Sequence, residues 1–225
     1  MSGILYIISS PIGNMEDITI RAIKILQGEV QYIFCEDTRR TKKLLHHYNI
    51  RIKTYSIHEH SLATKIEYAI KLLRNGNSIA YLTDSGTPGL SDPGGKLVSR
   101  ARENKIQIVP IPGASALTSI ISVSGFPGQN IFFAGFLSKK EGKRKKELER
   151  LMDYKGVIVI FESPYRIKKS LKTISDVFPE CDIVIGREMT KLHEEFIIGK
   201  AKDIFSNIQN IRELGEFTIA INRAK

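Results

Sequence analysis

Thr83-Asp84-Ser85-Gly86-Thr87-Pro88-Gly89-Leu90-Ser91-Asp92-Pro93-Gly94-Gly95 joins two carboxylates to four glycines and two prolines in one unbroken stretch. Asp84 can accept hydrogen bonds from ligand amines or hydroxyls, and the glycines let backbone amides approach a ligand closely. The stretch follows the apolar run Ser78-Ile79-Ala80-Tyr81-Leu82 and precedes Lys96-Leu97-Val98-Ser99-Arg100-Ala101. These read as a buried strand and the start of a helix, the junction at which open α/β sheets bind ligands. The same residues also read as a tight surface loop in which Asp92 caps the helix ahead of Pro93. Two companion stretches have the same character, Ser10-Pro11-Ile12-Gly13-Asn14 and Pro110-Ile111-Pro112-Gly113-Ala114-Ser115-Ala116. Three such loops at one end of a parallel sheet converge on a single crevice. None carries the Gly-x-Gly-x-x-Gly fingerprint or a Walker A sequence, which argues against the common dinucleotide and nucleotide folds and against Glu36 as a ribose ligand of that type.

The elements that must hold these loops alternate. Ile4–Ser9, Tyr32–Cys35, Thr54–Ser56, Ser78–Leu82 and Ile106–Val109 read as strands. Between them lie a helix capped by Asp17 with Ile20, Ile23 and Leu26 inward, a short basic helix, and a helix over Ala63–Arg74 stopped by Gly76. Such alternation predicts a mostly parallel sheet in the first half. A composition change near Val123–Asn130 places a domain boundary between about Pro112 and Gly128, giving domains over 1–118 and 119–225. The second is expected to be a smaller mixed-sheet α/β domain. Its strands are expected at Ile131–Leu137, Val157–Phe161, Ile183–Gly186, Glu194–Gly199 and Glu216–Asn222, with a helix over Tyr165–Phe178.

Charge and composition narrow the partners. Lys and Arg outnumber Asp and Glu by 34 to 24, a net +10, so an acidic partner is indicated, with nucleic acid first. Lys139, Lys140, Lys143, Arg144, Lys145, Lys146 and Arg150 crowd into Ser138–Arg150 against three glutamates. That segment reads either as a solvated helix face or as an RNA backbone contact. Arg39, Arg40, Lys42 and Lys43 make a second cluster. Cys35 and Cys181 fall in apolar runs with no disulfide or metal spacing, which points to reduced core thiols and a cytoplasmic protein. No apolar run reaches the length of a membrane span. His46-His47 and His58-Glu59-His60 lack the further ligands a metal site requires.

In order and spacing, several motifs together resemble the tetrapyrrole-methylase-like (class III) S-adenosylmethionine methyltransferases. They are Leu5-Tyr6-Ile7 to Asn14, Glu36-Asp37-Thr38-Arg39, Asp84-x-Gly86-Thr87-Pro88-x-x-Ser91-Asp92-Pro93-Gly94 and Pro110-x-Pro112-Gly113. Gly135-Phe136-Leu137, Phe161-Glu162-Ser163-Pro164-x-Arg166 and Arg187-Glu188-x-Thr190-Lys191 complete the set. The nearest branch is the ribosomal RNA small subunit methyltransferase I group. The resemblance implies a two-domain α/β fold with the cofactor in the interdomain cleft, usually a homodimer. It also implies S-adenosylmethionine as cofactor and 2′-O-methylation of a cytidine ribose in the decoding region of 16S rRNA. Members commonly carry a further segment beyond the Glu216–Asn222 strand.

By the same resemblance Pro11, Asp84, Gly86, Thr87, Ser115 and Ala116 occupy cofactor-binding positions. A ribose hydroxyl needs a base or acceptor for its proton, and Asp37, Glu188 and Lys191 are the candidates for that role or for orienting the substrate. Lys191 acts as a base only with a lowered pKa, which burial can supply. Taken alone, Asp37 also reads as a helix cap paired with an arginine, and Arg187-Glu188 as a structural salt bridge. Arg39, Arg40, Lys139, Lys140, Lys143, Arg144, Lys145 and Lys146 are the expected RNA contacts. Two other functions share this fold: methylation of a small tetrapyrrole, which the basic clusters disfavour, and RNA binding without catalysis.

Overall fold

The computed structural model describes residues 2–57, 62–92 and 94–223, so Pro93 and the His58-Glu59-His60 run lie outside the described residues. The chain forms two compact units, Met1–Ser115 and Ala116–Lys225.

The first unit is built from β1 (Leu5–Ile8), α1 (Ile20–Gly28), β2 (Tyr32–Cys35), α2 (Thr38–His47), β3 (Lys53–Ser56), α3 (Leu62–Arg74), β4 (Ile79–Leu82), α4 (Gly94–Glu103) and β5 (Ile108–Ile111). All pairings are parallel, in the order β3-β2-β4-β1-β5. From β1 the chain crosses past β4 to reach β2, and from β4 it crosses past β1 to reach β5. The two paths therefore leave the carboxyl ends of β1 and β4 in opposite directions over opposite faces of the sheet, at the edge where such sheets bind ligands. Both faces of the sheet are covered at its centre, which is why β1, β2 and β4 are apolar throughout, while edge strand β3 is polar. Tyr6, Ile8, Ile33 and Leu82 pack on α1 and α2, while Leu5, Phe34, Ile79 and Tyr81 pack on α3 and α4.

Two boundaries differ from expectation. Asp17 does not cap α1; Met15–Asp17 form a single 3-10 turn capped by Asn14, and Thr19 caps the helix by accepting from the Ala22 amide at 3.1 Å. The helix phase rotates accordingly, so Ala22, Ile25 and Leu26 face the core and Ile20 is 73% exposed. Strand β5 begins at Ile108 because Ile106 is buried among residues of α3 and α4.

The second unit contains α5 (Ala116–Ser124), β6 (Ile131–Phe136), α6 (Glu141–Glu149), β7 (Val157–Glu162), α7 (Ile167–Val177), β8 (Asp182–Arg187), β9 (Glu195–Lys200), α8 (Ala201–Ser206) and β10 (Phe217–Asn222). Its sheet runs β6-β7-β10-β8-β9, with β6 and β7 parallel and the other pairs antiparallel. Ile158, Ile160, Ile183, Ile185, Ile219 and Ile221 bury one face against Leu148, Ile167, Leu171, Ile174 and Ile204 of α6, α7 and α8. Helix α5 meets the sheet at β10 and β8. Among the described residues no helix is long and apolar enough to cross a membrane.

Candidate active site

The three glycine- and proline-rich loops meet at the carboxyl edge of the first sheet. Ser10 and Gly86 exchange both backbone hydrogen bonds, at 3.0 and 3.1 Å, which staples the loop after β1 to the loop after β4. Ser10 Oγ donates to the Thr83 carbonyl at 2.9 Å, and Thr83 Oγ1 donates to the Gly86 carbonyl at 2.9 Å. Thr87 Oγ1 accepts from Ser9 Oγ at 3.2 Å and donates to the Ala114 carbonyl at 3.1 Å, which brings in the loop after β5. A Cβ on Gly113 would stand 3.0 Å from Ser9 Cβ, so glycine lets these two loops pack without displacing Ser9. The Gly86 amide, expected to face a ligand, is spent on Ser10; what the position contributes is its left-handed backbone, φ +82°. Pro11 and Ser115 are buried in the same edge, and Ala116 opens α5.

Beside this edge the carboxyl ends of β2 and β4 bind each other reciprocally. The Asp84 amide donates to Glu36 Oε1 at 3.2 Å, and Asp84 Oδ1 accepts from the Asp37 amide at 2.9 Å. Asp84 Oδ2 also faces Arg40 Nε at 3.7 Å. Asp37 caps α2 by accepting from the Arg39 amide at 2.8 Å, and its carboxylate pairs with the Arg39 guanidinium at 2.6 Å. Those Arg39 hydrogen bonds hold the Asp37 carboxyl well below the usual carboxylate range. Glu36 moves the other way: burial, reinforced by the charges of Asp84 and Asp92, raises its pKa. Asp92 anchors the end of the loop by accepting from the Gly94 amide at 2.7 Å and from the Gly89 amide. Because Glu36 contributes its carboxyl to the Asp84 backbone, it belongs to the site that sequence reading assigned to Asp37 and Asp84; the contact is 48 residues apart in the chain.

In the second unit Glu188 and Lys191 are joined directly. Lys191 Nζ donates to Glu188 Oε1 at 2.7 Å and to Glu216 Oε2 at 3.0 Å, and the Glu216 amide donates to Glu188 Oε1 at 2.9 Å. Burial alone would push the Glu188 carboxyl up, but Lys191 and the Glu216 amide carry it below its ordinary value. Burial alone would likewise lower Lys191, yet hydrogen bonds to Glu188 and Glu216 raise it. The two carboxylates around Lys191 therefore favour its ammonium form and work against the lowered pKa that a general base there would need. Glu188 and Thr190 both adopt left-handed backbone, at φ 50° and 65°. Gly215 leaves the space that the Glu188 side chain fills, since a Cβ there would lie 2.4 Å from Glu188 Cγ.

The basic residues divide. Lys139, Lys140, Lys143, Lys145 and Lys146 are exposed, whereas Arg144 is 2% exposed. Its guanidinium donates to Thr173 Oγ1 at 2.9 Å and to the carbonyls of Lys169, Lys139 and Ser138 at 3.3–3.5 Å. Arg144 is thus a packing cation between α6 and α7, and its expected RNA contact is withdrawn. On α2 the spacing of Arg39, Lys42, Lys43 and His46 puts them on one helical stripe. With His47 and Met15 they line a groove of about 480 Å³. Among the described residues no group of three potential ligands is placed to hold a metal.

The Glu162-Ser163-Pro164-x-Arg166 motif proves structural. Glu162 is buried, pairs with Arg166 at 2.5 Å, and accepts from the Ser163 amide at 2.7 Å and from Ser170 Oγ. Arg166 also donates to the Leu137 carbonyl at 2.9 Å, tying the end of β7 to the end of β6.

Comparison with known proteins agrees with this geometry. A family model described as Tetrapyrrole (Corrin/Porphyrin) Methylases matches residues 4–204. A protein of Leptospira biflexa serovar Patoc named Ribosomal RNA small subunit methyltransferase I is 41% identical over 224 residues, covering 99% of this chain and 92% of that protein. A protein of the same name from Thermotoga maritima is 42% identical over 220 residues, covering 98% of each. Among solved structures, the cobalamin biosynthetic enzyme cobalt precorrin-4 methyltransferase superposes with a TM-score of 0.72 at 17% identity, covering 98% of this chain and 95% of that one, a likeness of fold. With its loops, sheet orders and near-full-length relatives together, this chain belongs to the tetrapyrrole methylase family, in the branch of the ribosomal RNA small subunit methyltransferase I proteins.

Proposed function

We propose that this protein is a methyltransferase of small-subunit ribosomal RNA that uses S-adenosylmethionine to methylate the ribose 2′-hydroxyl of a cytidine in the decoding region. The observation that carries the reading is the likeness of 41–42% identity over nearly the whole chain to proteins named for that RNA. The chemistry of the loop edge suits a cationic, hydroxyl-bearing cofactor: Asp84, Glu36 and Asp37 are carboxyl groups on one edge, and each carboxylate keeps acceptor capacity beyond its internal bonds. Pro11, Asp84, Gly86, Thr87, Ser115 and Ala116 are the residues proposed to hold it, Gly86 through the shape it gives the loop. When bound, S-adenosylmethionine supplies an electrophilic methyl carbon on a sulfonium. The protein's own contribution is orientation, which in well-aligned displacements is worth up to about 7–11 kcal/mol. Asp37 and Glu188 are held as carboxylates and can accept the hydrogen bond of the ribose hydroxyl. Lys191 serves as a fixed positive charge that orients Glu188 and substrate. The exposed lysines of α6, with Arg39 and Arg40, are the proposed phosphate contacts.

The test is incubation of unmethylated small ribosomal subunits with protein and tritiated S-adenosylmethionine, followed by mass spectrometry of the rRNA nucleosides. Label appearing as 2′-O-methylcytidine is the expected result. Label on a base or on a tetrapyrrole only, or none, overturns it. Asp84→Ala retaining full cofactor affinity in calorimetry removes Asp84 from the site.

A further inference from the structure

The parallel strands β6 and β7 end side by side; β6 ends in an outward ring, Phe136, and the turn that follows β7 carries another, Tyr165. Phe136 is 55% exposed and Tyr165 is 86% exposed. Phe136 is packed on one side, and the backbone that carries Tyr165 is anchored. The Phe136 ring meets Phe161 with centroids 5.9 Å apart, and Phe161 meets Phe133 at 4.8 Å. Arg166, the residue after Tyr165, donates to the carbonyl of Leu137, the residue after Phe136, at 2.9 Å, while its other nitrogen is held by buried Glu162. The end of β6 and the turn carrying Tyr165 are thus tied to one another by Arg166, whose side chain is largely buried.

Directly after Phe136 come the exposed ammonium groups of Lys139, Lys140 and Lys143. Exposed rings set beside exposed cations match a chain with flat apolar bases and phosphates, which is how single-stranded nucleic acid is held. The same cations oppose apposition of a second copy of this surface, because like charges would face one another. Resting on the RNA reading given above, we propose that Phe136 and Tyr165 stack unpaired bases of the substrate RNA while Lys139, Lys140 and Lys143 take its phosphates. The surface therefore selects looped or single-stranded RNA over duplex.

The experiment measures affinity of the full chain for a labelled single-stranded oligonucleotide and for the same strand in a duplex, by fluorescence anisotropy. Tyr165→Ala and Phe136→Ala should each weaken single-strand binding by about 5- to 100-fold, leave duplex binding unchanged, and leave the salt slope intact. Tyr165→Phe and Phe136→Tyr should restore it, and Lys139→Ala should flatten the slope by about 0.7. Circular dichroism melts confirm that each variant is folded. Wild-type affinity in both alanine variants, equal loss on single strand and duplex, or no RNA binding at all overturns the stacking surface. A changed sedimentation mass with unchanged RNA affinity also overturns it and assigns the rings to self-association. Methyl transfer to small subunits, assayed in parallel on wild type, separates the two readings: transfer with no stacking effect sinks this proposal alone.

Discussion

Arg144 and Lys143 are adjacent in sequence and should respond oppositely to the same substitution. Arg144 is 2% exposed and makes one short bond, to Thr173 Oγ1 at 2.9 Å, and three long ones to carbonyls. One good charge-assisted bond contributes about 1.5–3 kcal/mol, and the long bonds add little. Removing the desolvated charge returns part of that loss, because the guanidinium has no carboxylate among these partners. Arg144→Met should therefore destabilise the second unit by about 2 kcal/mol, a fall in melting temperature of roughly 8–16 °C for a unit of this size. Lys143→Met, on the exposed side of α6, should stay within about 0.5 kcal/mol of wild type. RNA binding reverses the order. Lys143→Met should reduce the slope of log affinity against log salt by about 0.7, and Arg144→Met, measured below its transition, should leave the slope unchanged. Urea or thermal denaturation followed by circular dichroism, with filter binding at several salt concentrations, gives both quantities. An Arg144→Met protein of wild-type stability with a flattened salt slope would falsify the assignment of Arg144 to packing.

The remaining expectations concern the two backbone-strained sites. Gly86→Ala puts a Cβ 3.4 Å from Ile12 Cγ2 on a backbone with φ +82°. That conformation costs an L-residue about 1–2 kcal/mol, so the staple to Ser10 should loosen and cofactor affinity by calorimetry should fall roughly 5- to 30-fold; an unchanged affinity counts against the loop edge as the cofactor site. Glu188 has its pKa lowered below 4.5 in the folded state. Its stabilisation is therefore fully present above the unfolded pKa and lost as pH falls through the folded one. The stability gap between wild type and Glu188→Gln should shrink below about pH 4.5, and urea midpoints showing a constant gap down to acid would refute the pairing with Lys191.

Much of the frame was legible because it rests on local pattern. The central strands β1, β2 and β4 are apolar on both faces, and strands alternate with helices along the first unit, so alternation alone predicted a parallel sheet. Elements governed by capping competition were less legible. Asn14 and Thr19 share the work expected of Asp17, and α5 passes unnoticed because Thr118, Ile120, Ile121 and Val123 are β-branched and weaken the helical signal. Arg144 was indistinguishable from its lysine neighbours, since only the placement of α7 shows which side of α6 is covered. The setting of Lys191 was illegible for a related reason. Burial does act on it in the direction expected, but Glu188 and then Glu216, which arrives 25 residues on, outweigh it and raise its pKa.

These electrostatic settings bear on how the reaction is promoted. A general base is most effective with a pKa near the working pH, and the three groups first considered for that task lie away from it. Asp37 is held down by Arg39, Glu188 by Lys191 and the Glu216 amide, and Lys191 is held up by two carboxylates. What these contacts do share is fixity: each charged group has at least two anchoring bonds. Glu36 is the exception in direction, with a raised pKa, yet it too is anchored, to the Asp84 amide. Under the proposed methyl transfer, fixed acceptors and a fixed cation would favour a displacement in which alignment dominates. On that proposal the rate should fall when Asp84, Asp37 or Glu188 is loosened, and Gly215, which leaves the room that Glu188 fills, is a position where a substitution should show it.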